Sequence, residues 1–122
     1  KMEYTMSHPF TTAAELSNSL RWAGLVSAAV PQLPVAVSGG VHAWQDVVKS
    51  ILAGASAVEV SSVIYGCGKE WIAPAVAALE KWQQEHSFDA PAAYCGRMNA
   101  RQECSAEHLL RTQFLKYMGA IK

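Results

Sequence analysis

Residues 34–62, PVAVSGGVHAWQDVVKSILAGASAVEVSS, constrain the fold more than any other stretch, because the hydrophobic period changes twice within them. Val35, Ala36 and Val37 form an unbroken apolar run that ends at Ser38-Gly39-Gly40. A run without polar alternation suits a strand covered on both faces, as in a parallel sheet. From Trp44 onward the spacing is helical, and Trp44, Val47, Val48, Ile51 and Leu52 share one face. Gly54 follows, where a helix C-terminus favours a residue able to take positive φ. Residues 57–60 read as a second strand closing on Ser61-Ser62. Strand, helix and strand in this order predict a βαβ unit with parallel strands and a right-handed crossover.

In such a unit Gly39-Gly40 and Ser61-Ser62 both fall at the C-terminal ends of neighbouring strands. Glycine lets the backbone approach a ligand closely and turn its N–H groups outward, and grouped N–H donors bind anions. In (β/α)8 barrels a phosphate site is commonly built from the loops after strands seven and eight. Gly39, Gly40, Ser61 and Ser62 are therefore the candidate phosphate-binding residues. A Gly-Gly alone is equally at home in an ordinary tight turn.

The run SGGVHAWQDVVKSILAGASAVEVSSVIYGCG resembles the end of a flavin-dependent (β/α)8 barrel, most closely the dihydroorotate dehydrogenases. LRWAGLVS at residues 20–27, the Leu79-Glu80-Lys81-Trp82 helix and the FLKYMG ending are similar to the dihydroorotate dehydrogenase-like proteins of anaerobic bacteria. The Gly-Gly, the LAGA and the second strand end are shared by many flavin and sugar-phosphate barrels. The flanking pieces narrow the resemblance to this branch.

The resemblance implies an α/β fold: the C-terminal portion of a TIM (β/α)8 barrel, with strands seven and eight, their helices and a helical tail. The whole chain, 1–122, would be one such fragment, with the barrel part over about 1–86 and the tail over about 87–122. A complete barrel needs roughly 250 residues, and the opening Lys1-Met2-Glu3 reads as an interior start without targeting character. The cofactor implied is FMN, its phosphate held by Gly39, Gly40, Ser61 and Ser62. The substrate is a small dihydropyrimidine, and the reaction the oxidation of dihydroorotate to orotate in pyrimidine biosynthesis. The catalytic base and the flavin-contacting lysine and asparagines belong to earlier strands, so no catalytic residue is expected in this chain. Two departures stand out. Many relatives carry Gly-Thr where this chain has Ser61-Ser62, and the glycine-rich turn before the preceding helix is not recognisable in EYTMSHPF. Other readings of the same residues are a sugar-phosphate barrel enzyme without flavin and a non-catalytic binding or assembly fragment.

Composition narrows the field further. Formal net charge is +0, which gives no electrostatic case for nucleic acid or an anionic membrane. No apolar run approaches the 18 or more residues of a membrane span. Cys67, Cys95 and Cys104 are odd in number and lack a CxxC pair, so neither a disulfide framework nor a zinc site is expected. A reducing, cytoplasmic setting is the simplest. His8, His42, His86 and His108 have no metal-ligand spacing.

Elsewhere, residues 3–6 offer a possible third strand. Thr12 and Glu15 have capping-box spacing before a helix running to about Val30, which Pro31 and Pro34 end. VIYGCGKE reads as a glycine-punctuated connection. A helix over about 70–85 follows, with Ile72, Val76, Leu79 and Trp82 as its buried stripe. Residues 87–100 are loop-rich, and Ser105 can cap a last helix that packs on the barrel exterior or on a second subunit, hence an expected homo-oligomer. His42 reads as a solvent-accessible histidine at a helix start, Arg21 and Trp22 as surface and packing residues, and Cys67 as a packing or loop cysteine without a base. Glu59, a carboxylate in an apolar strand, is expected in a structural network inside the barrel.

Overall fold

The structure, a computed structural model, describes residues 10–99. The possible strand over residues 3–6 and the last helix from Ser105 lie outside the described residues, as does Cys104. The chain is a helix-rich α/β arrangement around a small parallel sheet. In order it runs α1 (Leu16–Ala29), β1 (Ala36–Val37), α2 (Trp44–Ala53), β2 (Ala57–Val58), α3 (Ser62–Cys67) and α4 (Ile72–Glu85), with 3-10 turns at Ala13–Glu15, Lys69–Trp71 and Pro91–Ala93.

The βαβ unit has the expected order. β1 and β2 pair in parallel, Ala36 with Ala57 and Val37 with Val58, with α2 as the crossover. The strands are shorter than the apolar runs, because each has one neighbour and its outer edge has no ladder among the described residues. Bonding nevertheless extends past the paired residues: Ser56 N–H donates to the Val35 carbonyl at 2.8 Å and Glu59 N–H to that of Val37 at 2.9 Å. Coverage on both faces is not observed. Val37 is buried and Val35, Val58 and Val60 are half-buried against the helices, whereas Ala36, Ala57 and Glu59 on the other face are exposed. Period-two geometry alone puts those sets on opposite faces.

The core lies between the strands, α1 and α2. Leu16, Ala23, Val37, Val41, Ala53 and Ala55 are its buried members. Two glycines set how closely α1 approaches. Gly54 takes φ +117° at the end of α2, where its N–H donates to the Ile51 carbonyl and that of Ala55 to the Ser50 carbonyl, both at 2.9 Å. This is the Schellman pattern, which satisfies helix-end carbonyls. A Cβ on Gly54 would stand 2.6 Å from Ser27 Cβ, so the glycine also permits α1 to close on α2. Ser27 Oγ donates to the Ala53 carbonyl at 3.1 Å, tying the two helices.

Three expectations are corrected. VIYGCGKE is not a plain connection: residues 62–67 form α3, with Val63 buried on the side of the core. The stripe of α4 is not buried among the described residues. Ile72 and Val76 are 46% and 47% exposed, while Leu79 and Trp82 are half-buried. Finally, the described part of residues 87–100 is more than a loop. Tyr94 is fully buried beside Trp82 and Phe88, with its hydroxyl donating to Gln83 Oε1 at 3.0 Å. Beyond it, Gly96 N–H and Met98 N–H donate to the carbonyls of Ile51 (2.9 Å) and Leu52 (2.8 Å), so this segment closes the C-terminal end of α2.

Candidate functional site

Gly40 lies three residues beyond Val37, and Ser61 three residues beyond Val58, the partner of Val37 in register. Strands in a sheet are about 4.8 Å apart, so the two chain turns leave the sheet side by side. Gly39 and Gly40 take φ of +89° and +79°, the left-handed region that L side chains rarely adopt. Their reasons for being glycine differ. A Cβ on Gly39 would make ordinary contact, 3.6 Å from Thr11 Cγ2 and 3.8 Å from Ser19 Oγ. A Cβ on Gly40 would collide with the backbone of Leu16, 2.7 Å from its Cα. Close approach at Gly40 therefore serves the packing of α1.

Among the described residues, no hydrogen bond uses the backbone N–H of Gly39, Gly40, Ser61 or Ser62. Gly40 is buried and Gly39 and Ser62 are half-buried, positions where an unpaired amide normally finds a partner. The structure thus places all four sequence-predicted residues at two neighbouring strand ends. Their available chemistry is a group of backbone donors suited to an oxyanion.

The sequence did not single out Thr11, which links the two ends. Its N–H donates to Ser62 Oγ at 2.9 Å, and the two hydroxyls are 3.0 Å apart. Its methyl faces Gly39. His42 Nε2 lies 2.9 Å from the Thr11 carbonyl, and because a carbonyl only accepts, Nε2 carries the proton. His42 is therefore half-buried and engaged, not simply facing solvent. Ser19 Oγ donates to the Ser38 carbonyl at 3.0 Å, fixing the start of the glycine turn against α1.

Asp46 holds the other side of this turn. It is buried in the first turn of α2, and its Oδ2 accepts the N–H groups of His42 (3.2 Å) and Ala43 (3.0 Å). Lys49 Nζ donates to Oδ1 at 2.9 Å. Burial pushes the carboxyl pKa up, but the Lys49 hydrogen bond and the two backbone N–H bonds outweigh it and hold the pKa below its ordinary 3.8. A signal for Asp46 existed in the sequence: an acid three residues after the residue preceding a helix is the carboxylate half of a capping box.

Cys67 is exposed and is the last residue of α3, so it lies in a helix and not in a loop. Glu59 is exposed on the open sheet face, and no network forms around it among the described residues. Two exposed aromatics, Phe10 next to Thr11 in the chain and Tyr65 on α3, pair with tilted rings whose centroids are 5.2 Å apart.

Comparison with known proteins adds one relative. A stretch of 58 residues is 33% identical to the catalytic subunit of dihydroorotate dehydrogenase B (NAD(+)) of Pyrococcus furiosus. It covers 48% of this chain and 19% of that subunit's length. The relationship is dihydroorotate dehydrogenase-like. No family model matches the chain. Among the described residues, no helix is long and apolar enough to cross a membrane.

Proposed function

We propose that the chain is the C-terminal part of a dihydroorotate dehydrogenase-like (β/α)8-barrel oxidoreductase and supplies the phosphate-binding end of its FMN site. The observation that carries the reading is the set of four backbone N–H groups at Gly39, Gly40, Ser61 and Ser62 that have no partner among the described residues and stand at adjacent parallel strand ends. The partial similarity to a dihydroorotate dehydrogenase subunit supports the same direction. So does the bare sheet face at Ala36, Ala57 and Glu59, which is where a barrel interior would lie.

The donor set fits a phosphate. It is neutral and made of backbone amides, and the glycine turn is tied to α1 by Ser19 and to the start of α2 by Asp46. Such preset donors bind an anion without reorganising. Ser62 Oγ adds a hydroxyl, already accepting from Thr11 N–H. When bound, the flavin would supply hydride-accepting chemistry to the enzyme; this chain's residues would bind and orient its phosphate end. The residue that removes a proton from a dihydropyrimidine would be supplied upstream, so the segment alone would not turn over.

The test is cofactor identity in the complete protein. The purified enzyme is expected to be yellow and to release FMN on heating, and the apoprotein to take up FMN in preference to riboflavin. A colourless protein that takes up no FMN overturns the reading.

A further inference from the structure

The glycine turn and the Ser61-Ser62 turn are joined by one residue from a third part of the chain. Thr11 N–H donates to Ser62 Oγ at 2.9 Å, the Thr11 carbonyl accepts from His42 Nε2 at 2.9 Å, and the Thr11 methyl lies against Gly39. The remaining group of Thr11 is its hydroxyl, 3.0 Å from Ser62 Oγ. Proton counting shows what this pair can still do. Ser62 Oγ already receives one proton from the Thr11 amide, and one hydroxyl hydrogen is consumed between the two oxygens. Each hydroxyl has one hydrogen. One O–H of the pair is therefore unspent among the described residues, beside the four unpaired amides.

We infer that Thr11 is a third contributor to the anion site, its hydroxyl acting with that of Ser62 to give a phosphate monoester one O–H donor. His42 is a positioning residue that acts through the Thr11 carbonyl. The inference rests on the phosphate site proposed above but adds residues that no glycine or strand-end pattern marks. A Thr-Ser pair suits a tetrahedral anion because either hydroxyl can rotate to donate to the other, so the remaining O–H can come from either oxygen. The backbone of Thr11 is fixed at both ends, by Ser62 and His42, which leaves the hydroxyl little freedom to lose on binding.

The experiment uses the complete protein and three probes: FMN, riboflavin and inorganic phosphate, titrated by calorimetry. Thr11→Val keeps the shape and the N–H bond to Ser62 but removes the hydroxyl. It is expected to weaken FMN and inorganic phosphate by about tenfold, the range for a hydrogen bond to a charged group, and to leave riboflavin unchanged. Thr11→Ser should restore FMN affinity to within about twofold. His42→Gln, which retains an amide donor, should bind FMN more tightly than His42→Ala. Unchanged thermal midpoints separate these effects from loss of fold. If the wild type prefers FMN to riboflavin and Thr11→Val keeps that preference, the role of Thr11 is overturned while the flavin reading stands. If the wild type binds inorganic phosphate but no FMN, and Thr11→Val weakens phosphate, the flavin reading fails and the role of Thr11 stands. Binding of neither probe by the wild type overturns both.

Discussion

Gly40 and Leu16 are so close that a Cβ on the glycine would stand 2.7 Å from Leu16 Cα. Leu16 is 6% exposed and opens α1, so the contact fixes the helix start against the turn that follows β1. Two penalties then act together at position 40: a positive φ of +79° and a backbone collision. Gly40→Val is expected to lower stability by roughly 3 kcal/mol or more, with ligand binding lost as a consequence of displaced α1. Denaturant unfolding of the complete protein checks this. A variant with native stability would show that the turn can move away from Leu16.

Gly39 is the contrasting case. A Cβ there meets only ordinary contacts, so the cost of Gly39→Ala is that of the positive φ, about 1 kcal/mol. The expected outcome is a folded protein with weaker phosphate binding, because a strained backbone re-aims the amides. Comparing Gly39→Ala with Gly40→Ala by thermal unfolding and phosphate titration tells a glycine needed for binding from one needed for packing.

Much of the βαβ unit was legible because its signals are local. The switch of hydrophobic period at Trp44 and the glycine at position 54 mark the ends of α2, and the apolar runs mark the strands. What escaped is tertiary. Thr11 meets Ser62 across 51 residues, and nothing in the Phe10-Thr11-Thr12 around it announces that meeting. Tyr94 lies in a glycine- and proline-punctuated stretch, yet it is fully buried, because burial is decided by Trp82 and Gln83 on α4 together with Phe88 of its own stretch. α3 was hidden by Gly66 and Gly68, which read as turn residues. Gly66 sits in the helix with open space around it, and Gly68 ends it at φ +77°. Gly39, Gly40, Ser61 and Ser62 lie at neighbouring strand ends, as the order of the βαβ unit implies, but the demand that Leu16 makes on Gly40 is a tertiary contact that no local pattern carries.

Asp46 gives a pH signature. Its folded pKa is lowered by Lys49 and by the N–H groups of His42 and Ala43, which prevail over burial. A lowered folded pKa means the unfolded chain binds the proton more readily. Stability from this group is present above the ordinary value of 3.8 and is lost as pH falls through the folded value. Acid unfolding of the wild type below that value should therefore be steeper than that of Asp46→Asn. At neutral pH Asp46→Ala should cost about 1–2 kcal/mol, the range for losing an N-terminal helix cap. Equal acid profiles for wild type and Asp46→Asn would remove the linkage.

Tyr94 tests whether the segment after α4 holds α2. Its ring is buried among Trp82 and Phe88, and the next residues donate to the carbonyls that end α2. Tyr94→Phe should cost about 1 kcal/mol by stranding Gln83 Oε1, and Tyr94→Ala about 3–5 kcal/mol by opening a cavity. Amide hydrogen exchange should show the C-terminal turn of α2 losing protection in Tyr94→Ala. Protection retained there would mean that the Gly54 cap alone secures the helix end.

The last prediction concerns the isolated chain, residues 1–122 without any further sequence. Among the described residues β1 and β2 pair only with each other, so each has an open edge. Open edges in a short parallel sheet are templates for pairing with another chain. The face that holds Ala36 and Ala57 is bare, and Ile72 and Val76 lie exposed on α4. Covering apolar surface is worth roughly 2–3 kcal/mol per 100 Å² before the cost of association is counted. A few hundred Å² from these surfaces is then enough to favour association at micromolar concentration. Glu59 works against it on the same sheet face, because burying its carboxylate unpaired is costly. Glu59→Ala should therefore shift the isolated chain toward larger species. Sedimentation velocity over a range of concentrations reads both effects. A compact monomer at every concentration, unfolding cooperatively, would mean that these 122 residues close their own surfaces, and the reading of the chain as part of a larger barrel would fall with it.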